Sequence, residues 1–195
     1  MDNTTVYFVR HGEYENPGNV NPFRMNGFPL SEKGKQQIIS TVKILQDKNI
    51  TSLYSSPILR TKQSAEIIGK ELKLVPEICE QFNEVDTPFM GYPREEVNKK
   101  VIFFFNPYHI AKGGESMEDV YNRMEKGVFK ILKKNKSKKI IIISHGDPIT
   151  IFVYHKKGIP LKEDFWTHFP YIPMSGILQT DFKDDELIFL RQINY

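Results

Sequence analysis

Two short apolar runs, each ending in a histidine that is followed by glycine, limit the folds available to this chain. The first, VYFV at residues 6–9, leads into Arg10 and His11, and the second, IIII at residues 140–143, leads through a serine into His145. Short runs rich in β-branched and aromatic residues are typical of buried strands in a parallel sheet. Open α/β sheets bind their ligands where such strands end and the chain enters the next crossover. The two histidines are therefore predicted to lie at one ligand-binding edge of a sheet.

A third junction adds an arginine to the same edge. Residues 51–55 are predicted to form a strand, and the next helix is predicted to begin with Ser56 as its N-cap and Pro57 as its first residue. Arg60 would then lie within about the first turn of that helix. Because parallel strands end on the same side of a sheet, Arg60 is expected near Arg10 and the two histidines. Two imidazoles and two guanidiniums gathered there predict a pocket for an anion.

Strand and helix signals alternate along the chain, which predicts an α/β fold with three layers, helices lying on both faces of a mostly parallel central sheet. The 195 residues suit one domain, 1–195. Two final strands, 176–182 and 186–193, predict a hairpin that makes the sheet mixed. The other predicted elements are helices at 31–48, 57–72 and 148–157, a helix opened by Ser116 and Asp119 as an approximate capping box, and strands at 73–78 and 140–144.

Residues 85–114 have no regular pattern. We interpret them as a partly helical insertion that forms a lid over the C-terminal edge of the sheet. The insertion contains the cluster Phe103-Phe104-Phe105, and a later aromatic loop contains Trp166, Phe169 and Tyr171. These rings are candidates for lining the pocket.

Composition limits the partners of the chain. The net charge of +3 suits a small anionic ligand, whereas a nucleic-acid-binding protein usually carries a stronger basic patch. The lysine-rich residues 133–139 are interpreted as the solvated end of a helix, where positive charge is favourable. We therefore expect no nucleic-acid partner, and the sequence does not indicate an oligomeric state.

Cysteine content and hydropathy predict the compartment. The single cysteine, Cys79, allows no intrachain disulfide, which is typical of a reducing environment. The first residues lack the basic and apolar regions of a signal peptide, and the longest apolar run is too short to cross a bilayer. We therefore expect a cytoplasmic protein with no membrane partner.

Six ordered segments resemble the motifs of the histidine phosphatase superfamily, the phosphoglycerate-mutase-like group. They are RHGE at 10–13, PLSEKG at 29–34, SPILRTKQSA at 56–65, FNE at 82–84, GGES at 113–116 and SHG at 144–146. The segments cover about residues 6–149 in the order of the family. This resemblance implies the phosphoglycerate-mutase-like fold and a small phosphorylated substrate.

The chemistry of these residues fits phosphoryl transfer, and the resemblance implies a phosphatase acting through phosphohistidine. A neutral imidazole can attack phosphorus when its other N–H is held by an acceptor, so His11 is the predicted nucleophile. Arg10 and Arg60 would hold phosphoryl oxygens through their planar forks. His145 would donate to the phosphoryl group as a cation. Glu84 would act as general acid and then as general base.

The general acid has a competitor. Asp86 lies two residues after Glu84 in the same predicted loop, and Glu84 is favoured because it occupies the family position after Phe82 and Asn83. That role needs a carboxyl pKa raised by burial.

Further substrate contacts are implied less directly. The resemblance expects an asparagine where Pro17 stands and a glutamine where Asn26 stands, so this loop is rebuilt. The predicted substrate-binding residues are Asn16, Asn26, Gly27, Glu115 and Gly146. For Glu115, a carboxylate complementing the dipole at a helix start is an equal interpretation.

No cofactor or metal is expected. His109, His155 and His168 lack metal-ligand spacing, and the arginines beside His11 would repel a dication.

Two alternative functions remain open. A phosphoglycerate mutase would use the same pocket but would need to grip a second anionic group, for which the lid offers Arg94, Lys99, Lys100 and Lys112. A non-catalytic scaffold that binds a phosphorylated ligand is the other. The aromatic residues of the lid predict tolerance of a bulky or apolar leaving group.

Overall fold

The computed structural model describes residues 3–99 and 103–193, and its centre is one six-stranded mixed sheet. The strands lie in the order β3-β2-β4-β1-β5-β6. The first four of these are parallel, whereas β5 runs antiparallel to β1 and pairs with β6 as a hairpin. Their bounds are β1 Thr4–Arg10, β2 Ser52–Ser55, β3 Pro76–Ile78, β4 Lys139–Ser144, β5 Ile177–Lys183 and β6 Glu186–Ile193. The predicted mixed sheet and closing hairpin are confirmed.

Helices cover both faces of this sheet. The α-helices are α1 Glu32–Leu45, α2 Leu59–Leu72, α3 Arg94–Lys99, α4 Pro107–Ala111, α5 Met117–Lys134 and α6 Gly146–Lys156. Short 3-10 helices are Gln46–Lys48, Glu80–Phe82, Phe103–Phe105 and Phe165–Thr167. No helix among the described residues combines the length and the apolar character that a membrane crossing requires.

The three layers follow from the alternation of side chains along the strands. Tyr7 and Val9 of β1 share a buried cluster with apolar residues of α1 and α2. Val6 and Phe8, which point the other way, share a second buried cluster with residues of α5 and α6. The strand β4 contributes isoleucines to both clusters, which explains why its apolar run is unbroken. The predicted three-layer α/β/α fold is confirmed.

The register between β1 and β4 brings the two histidine segments side by side. In this parallel pair Val6 is opposite Ile140 and Arg10 is opposite Ser144. The backbone N–H of His11 continues the ladder by donating to the Ser144 carbonyl at 3.1 Å. The two strands therefore end at the same level, and His11 and His145 are the next residues of each chain segment.

The start of α2 was predicted two residues too early. The helix begins at Leu59 with Ile58 as its N-cap, and no side chain caps it. Ser56 is not the cap, and its hydroxyl lies 2.9 Å from Nε2 of His145. Arg60 still lies in the first turn. The capping box of α5 is confirmed, since the side chains of Ser116 and Asp119 bond each other's backbone N–H groups.

The insertion at residues 85–114 is partly helical, as predicted, and contains α3, one 3-10 helix and α4. Phe104 of this segment is buried and stacks on Trp166, with ring centroids 6.1 Å apart. The expectation for Lys100 falls outside the described residues. Through Arg94, Val97 and Phe104 the insertion contributes to a pocket at the C-terminal edge of the parallel strands.

Candidate active site

A cavity of about 610 Å³ opens at this edge of the sheet. Its wall combines cationic, acidic and aromatic side chains that come from the ends of β1, α2, the segment before the lid, the lid and the aromatic loop. The lining residues are Arg10, His11, Tyr14, Asn21, Pro22, Phe23, Arg60, Glu84, Arg94, Val97, Phe104, Asp147, Trp166, Tyr171 and Met174. The cavity therefore contains four of the five residues predicted to be catalytic, and His145 lies directly beside them.

His11, Arg60 and His145 form one buried group. Arg60 is only 1% exposed, and its Nε donates to Nε2 of His11 at 3.2 Å. Its Nη2 lies 3.1 Å from Nδ1 of His145, and the two imidazole rings have centroids 5.2 Å apart. The sequence predicts that these three side chains meet at one edge of the sheet, and the structure brings them together there.

The tautomer of His11 is determined by its neighbours. Its Nδ1 lies 2.8 Å from the Gly12 carbonyl, which can only accept, so Nδ1 carries the proton and Nε2 is the bare nitrogen. Burial, together with the positive charges of Arg60 and Arg10, lowers the pKa of His11 well below its usual 6.5. The ring is therefore neutral at physiological pH, and its Nε2 lone pair faces Arg60 and the cavity.

Two glycines let the segment after β1 pack tightly against the start of α1. A Cβ on Gly12 would lie 2.5 Å from the Gly34 carbonyl oxygen, and a Cβ on Gly34 would lie 1.9 Å from the Glu13 carbonyl oxygen. Neither distance is tolerated by a real side chain. The close approach fixes the Gly12 carbonyl that holds His11, which gives the motif at residues 29–34 a structural reason.

His145 is held from both sides of its ring. Nδ1 accepts from Arg60, so Nε2 carries the proton and donates to the Ser56 hydroxyl. Burial and the cations Arg60 and Arg123 are among the causes that lower the pKa of His145 well below 6.5. Complete burial and the adjacent guanidinium both disfavour the charged ring in this structure, whereas the expected cationic role of His145 concerns the bound phosphoryl group and stays a prediction.

Three buried donors of the cavity wall have no hydrogen-bond partner among the described residues. They are Nε of Arg10, Nη1 of Arg60 and Nδ2 of Asn21. The rest of Arg10 is held in place, since Nη1 donates to the Ile172 carbonyl at 2.9 Å and its guanidinium lies over the Tyr171 ring at 5.1 Å. Buried donors without acceptors are costly, so three of them in one cavity indicate a site for an anion with several oxygens.

Glu84 is the carboxyl that approaches this group. Its Oε2 lies 3.5 Å from Nδ1 of His145 and 3.8 Å from Nη2 of Arg60, and its side chain is 13% exposed. Burial and the nearby Asp147 carboxyl raise the pKa of Glu84 to about 7, while Arg60 opposes the rise. Asp86, the competitor, is half-exposed and paired with Arg24 at 3.0 Å, and it does not line the cavity. The geometry therefore favours Glu84 over Asp86.

The five predicted substrate-binding residues lie outside the cavity lining. Asn16 bonds the backbone of Val20 through both ends of its amide, and Asn26 and Gly27 lie away from the wall. Glu115 is paired with Arg24 and Arg123 behind the cavity. Gly146 backs the Tyr171 ring, where a Cβ would lie 2.1 Å from the hydroxyl oxygen.

Several lining residues were not found from the sequence. Tyr14 and Asp147 each follow a histidine motif, so their position in the chain could have indicated them. Asn21 and Met174 lie in irregular segments whose path only the folded chain defines. The amide expected at Asn16 or Asn26 is instead provided by Asn21.

The aromatic candidates divide between the cavity and its support. Phe104, Trp166 and Tyr171 line the cavity, as predicted, and the Tyr171 hydroxyl donates to Asp147 at 2.5 Å. Phe169 instead stacks on Tyr154 with ring centroids 3.7 Å apart. Among the lid cations, Arg94 lines the cavity and donates to the Tyr14 hydroxyl at 2.6 Å.

Comparisons with known proteins indicate the family of this chain. A profile of the histidine phosphatase superfamily (branch 1) matches residues 6–192. The chain is 30% identical over 147 residues to an uncharacterized phosphatase, PhoE, of Bacillus subtilis. The aligned residues cover 75% of this chain and 74% of that protein. It is 30% identical over 177 residues to phosphoserine phosphatase 1 of Hydrogenobacter thermophilus, with 83% and 80% covered.

A solved structure shows the same fold. The crystal structure of phosphoglycerate mutase from Bacillus anthracis superimposes with a TM-score of 0.80 at 20% identity, covering 98% of this chain and 93% of that one. At this identity the similarity concerns the fold alone.

Proposed function

This chain belongs to the histidine phosphatase superfamily (branch 1), and from that membership we propose that it hydrolyses phosphomonoesters through a phosphohistidine on His11, without a metal ion. The observation that carries the proposal is the set of three unpartnered donors in the cavity, Nε of Arg10, Nη1 of Arg60 and Nδ2 of Asn21. A phosphoryl group has three oxygens to offer them. Preorganised donors of this kind usually lower the barrier to phosphoryl transfer more than any other single effect.

In the first step the Nε2 lone pair of His11 attacks phosphorus. The P–N bond forms as the bond to the leaving oxygen breaks, and Arg60, which lies beside Nε2 in the free protein, turns its donors to the phosphoryl oxygens. Glu84 gives its proton to the leaving oxygen, which departs as the alcohol. The Gly12 carbonyl holds the Nδ1 proton throughout and so stabilises the imidazolium character that develops in the ring.

In the second step water attacks the phosphohistidine. Glu84, now a carboxylate, takes a proton from the water, the P–N bond breaks and inorganic phosphate leaves. Neutral His11 and protonated Glu84 are restored, so no proton is left unaccounted for. A pKa of about 7 for Glu84 suits both roles near neutral pH, because a general acid–base catalyst works best when its pKa lies near the operating pH.

The cavity supports a leaving group larger than a simple alcohol. Its volume of about 610 Å³ far exceeds that of a phosphoryl group, and Phe104, Trp166 and Tyr171 line it. Arg94 is the described lid cation that lines the cavity, and it already bonds Tyr14 and Val20. Because Arg94 is engaged in this way, hydrolysis is favoured over the mutase alternative, which must grip a second anionic group.

The test measures phosphate release from p-nitrophenyl phosphate, phosphoserine, 3-phosphoglycerate and a nucleoside monophosphate. We expect release by the wild type, and an acid-labile, alkali-stable phosphate label that is absent in His11→Ala. His168→Ala, which removes an exposed histidine, is the matched control and should retain activity. Isomerisation of 3-phosphoglycerate without phosphate release would favour the mutase, and binding of phosphate with neither turnover nor label would favour the scaffold.

A further inference from the structure

Behind the cavity, a group of four charged side chains lies against the segment that carries Glu84, and all of them except Asp86 bond its backbone. They are Arg24, Asp86, Glu115 and Arg123, and they come from the loop before α1, the Glu84 segment itself, the residue before the N-cap of α5, and α5. Beyond the short 3-10 helix that ends at Phe82, the Glu84 segment has no regular secondary structure. Two of its N–H groups are held locally, since Asn83 Oδ1 accepts from the Glu84 N–H and Glu84 Oε1 accepts from the Val85 N–H, both at 2.9 Å. Its carbonyls are held by the outside contacts.

Arg123 makes most of the contacts. Its Nη1 donates to the carbonyls of Gln81 at 2.9 Å and Asn83 at 2.8 Å, and its Nη2 donates to the Glu84 carbonyl at 3.2 Å. The same guanidinium forms a two-pronged pair with Glu115, at 2.7 and 3.1 Å. One planar fork thus holds three carbonyls of a single short segment, which a lysine ammonium cannot reproduce.

Arg24 also reaches the Glu84 carbonyl. Its Nε donates to that oxygen at 2.6 Å, and its two other nitrogens pair with Asp86 at 3.0 Å and Glu115 at 2.9 Å. Glu115 completes the arrangement by accepting from the Asp86 backbone N–H at 2.9 Å. Two cations and two carboxylates balance in charge, so each of the four charges has an opposite partner.

The result is that two guanidiniums converge on one carbonyl, that of Glu84. The residue before Arg24 in its loop, Phe23, accepts from Arg60 through its carbonyl at 2.8 Å. The loop therefore ties the guanidinium beside His11 to the backbone of the proposed proton donor.

We infer that Arg24 and Arg123, neutralised by Glu115, are positioning residues that hold the Glu84 carboxyl where it can protonate the leaving oxygen. The inference rests on the proposed function. None of the three side chains lines the cavity, so they act through Glu84 rather than on the substrate. A misplacement of about 1 Å at a reacting group can cost about 10²-fold in rate.

Proton donation gives this inference a specific readout. An alkyl phosphate such as phosphoserine needs its leaving oxygen protonated, whereas 2,4-dinitrophenyl phosphate leaves as a stable anion. Because Glu84 also acts as general base in the hydrolysis of the phosphohistidine, the readout is kcat/KM, which reports the first step. We expect Arg123→Lys to lower kcat/KM by about 10²-fold with phosphoserine or the best alkyl substrate and by less than about threefold with 2,4-dinitrophenyl phosphate. With 2,4-dinitrophenyl phosphate, kcat should fall where hydrolysis of the phosphohistidine limits turnover, because that step also uses Glu84.

Two further variants complete the experiment. Glu84→Gln should reproduce the same dependence on the leaving group, and Lys134→Gln, which breaks a surface pair with Glu77 on the same helix as Arg123, should leave both rates unchanged. Arg24→Lys provides an independent test, because Arg24 is 26% exposed and its replacement disturbs the core less if Arg123→Lys does not fold.

The outcomes separate the inference from the proposed function. A wild type with no phosphatase activity on any substrate refutes the function. A different result overturns the positioning role. In it the wild type hydrolyses both substrates and Glu84→Gln loses activity mainly with the alkyl phosphate, but Arg24→Lys and Arg123→Lys lower kcat/KM equally with both substrates or with neither. The proposed function then stands.

Discussion

Replacing Glu84 by glutamine should make the folded protein more stable at pH 8 while removing its proton donor. Burial and the neighbouring Asp147 raise the pKa of Glu84 to about 7, from an ordinary value of 4.5. Above pH 7, folding therefore forces an ionised carboxylate into a site that prefers the neutral acid. Glutamine is neutral at every pH and has nearly the same shape.

The sign and size of the effect follow from the two pKa values. Because the pKa is higher in the folded chain, the stability that the protonated group confers is complete below about pH 4.5 and is lost as the pH rises to about 7. At about 1.36 kcal/mol per pH unit, the difference corresponds to about 3 kcal/mol. The stability of Glu84→Gln relative to wild type should therefore rise by about 3 kcal/mol between pH 4.5 and pH 8 and stay level above that.

Urea unfolding of both proteins across this pH range measures the difference, and titrating groups that Glu84 does not contact cancel in the comparison. Glu32→Gln is the control, because hydrogen bonds from Lys35 and Gln36 lower the pKa of this exposed carboxyl. The stability of Glu32→Gln relative to wild type should therefore rise as the pH falls, opposite to the trend of Glu84→Gln. A Glu84→Gln difference that is the same at pH 5 and pH 8 would refute the burial argument and with it the assignment of Glu84 as an acid near neutrality.

Three other predictions concern the site directly. For the wild type, kcat/KM with an alkyl phosphate should fall about tenfold per pH unit above about pH 7, as Glu84 loses its proton, and Glu84→Gln should lose that limb. Arg60→Met should lower kcat about 10²–10³-fold in steady-state assays, with a smaller loss contradicting its role as a phosphoryl clamp. Gly12→Ala should destabilise the protein by about 1–3 kcal/mol in thermal unfolding, because the added Cβ would lie 2.5 Å from the Gly34 carbonyl oxygen. Gly18→Ala should be nearly neutral, because its Cβ would lie 3.7 Å from Cγ1 of Val20, an ordinary contact distance.

The sequence alone determined the sheet and the meeting of its catalytic candidates. Two apolar runs that end in histidine specify adjacent buried strands. Parallel pairing aligns the ends of these strands and does not depend on the conformation of the loops that follow them. Arg60 could be placed in the same way, since it follows a third strand, and an error of two residues in the start of α2 did not remove it from the first turn. Strand patterns are local, so they can be predicted from neighbours in the chain.

Only the tertiary structure decided the features that depend on residues far apart in the chain. Asp86 stays out of the cavity wall and pairs with Arg24 from a distant loop, and Asn21 takes the place expected of Asn16 because the loop folds against the lid at Gly91 and Tyr92. The lowered pKa of His145 has the same origin, since complete burial and the neighbouring Arg60 both disfavour its charged form. Burial and charge pairing are sums over the whole fold, and no local pattern contains them.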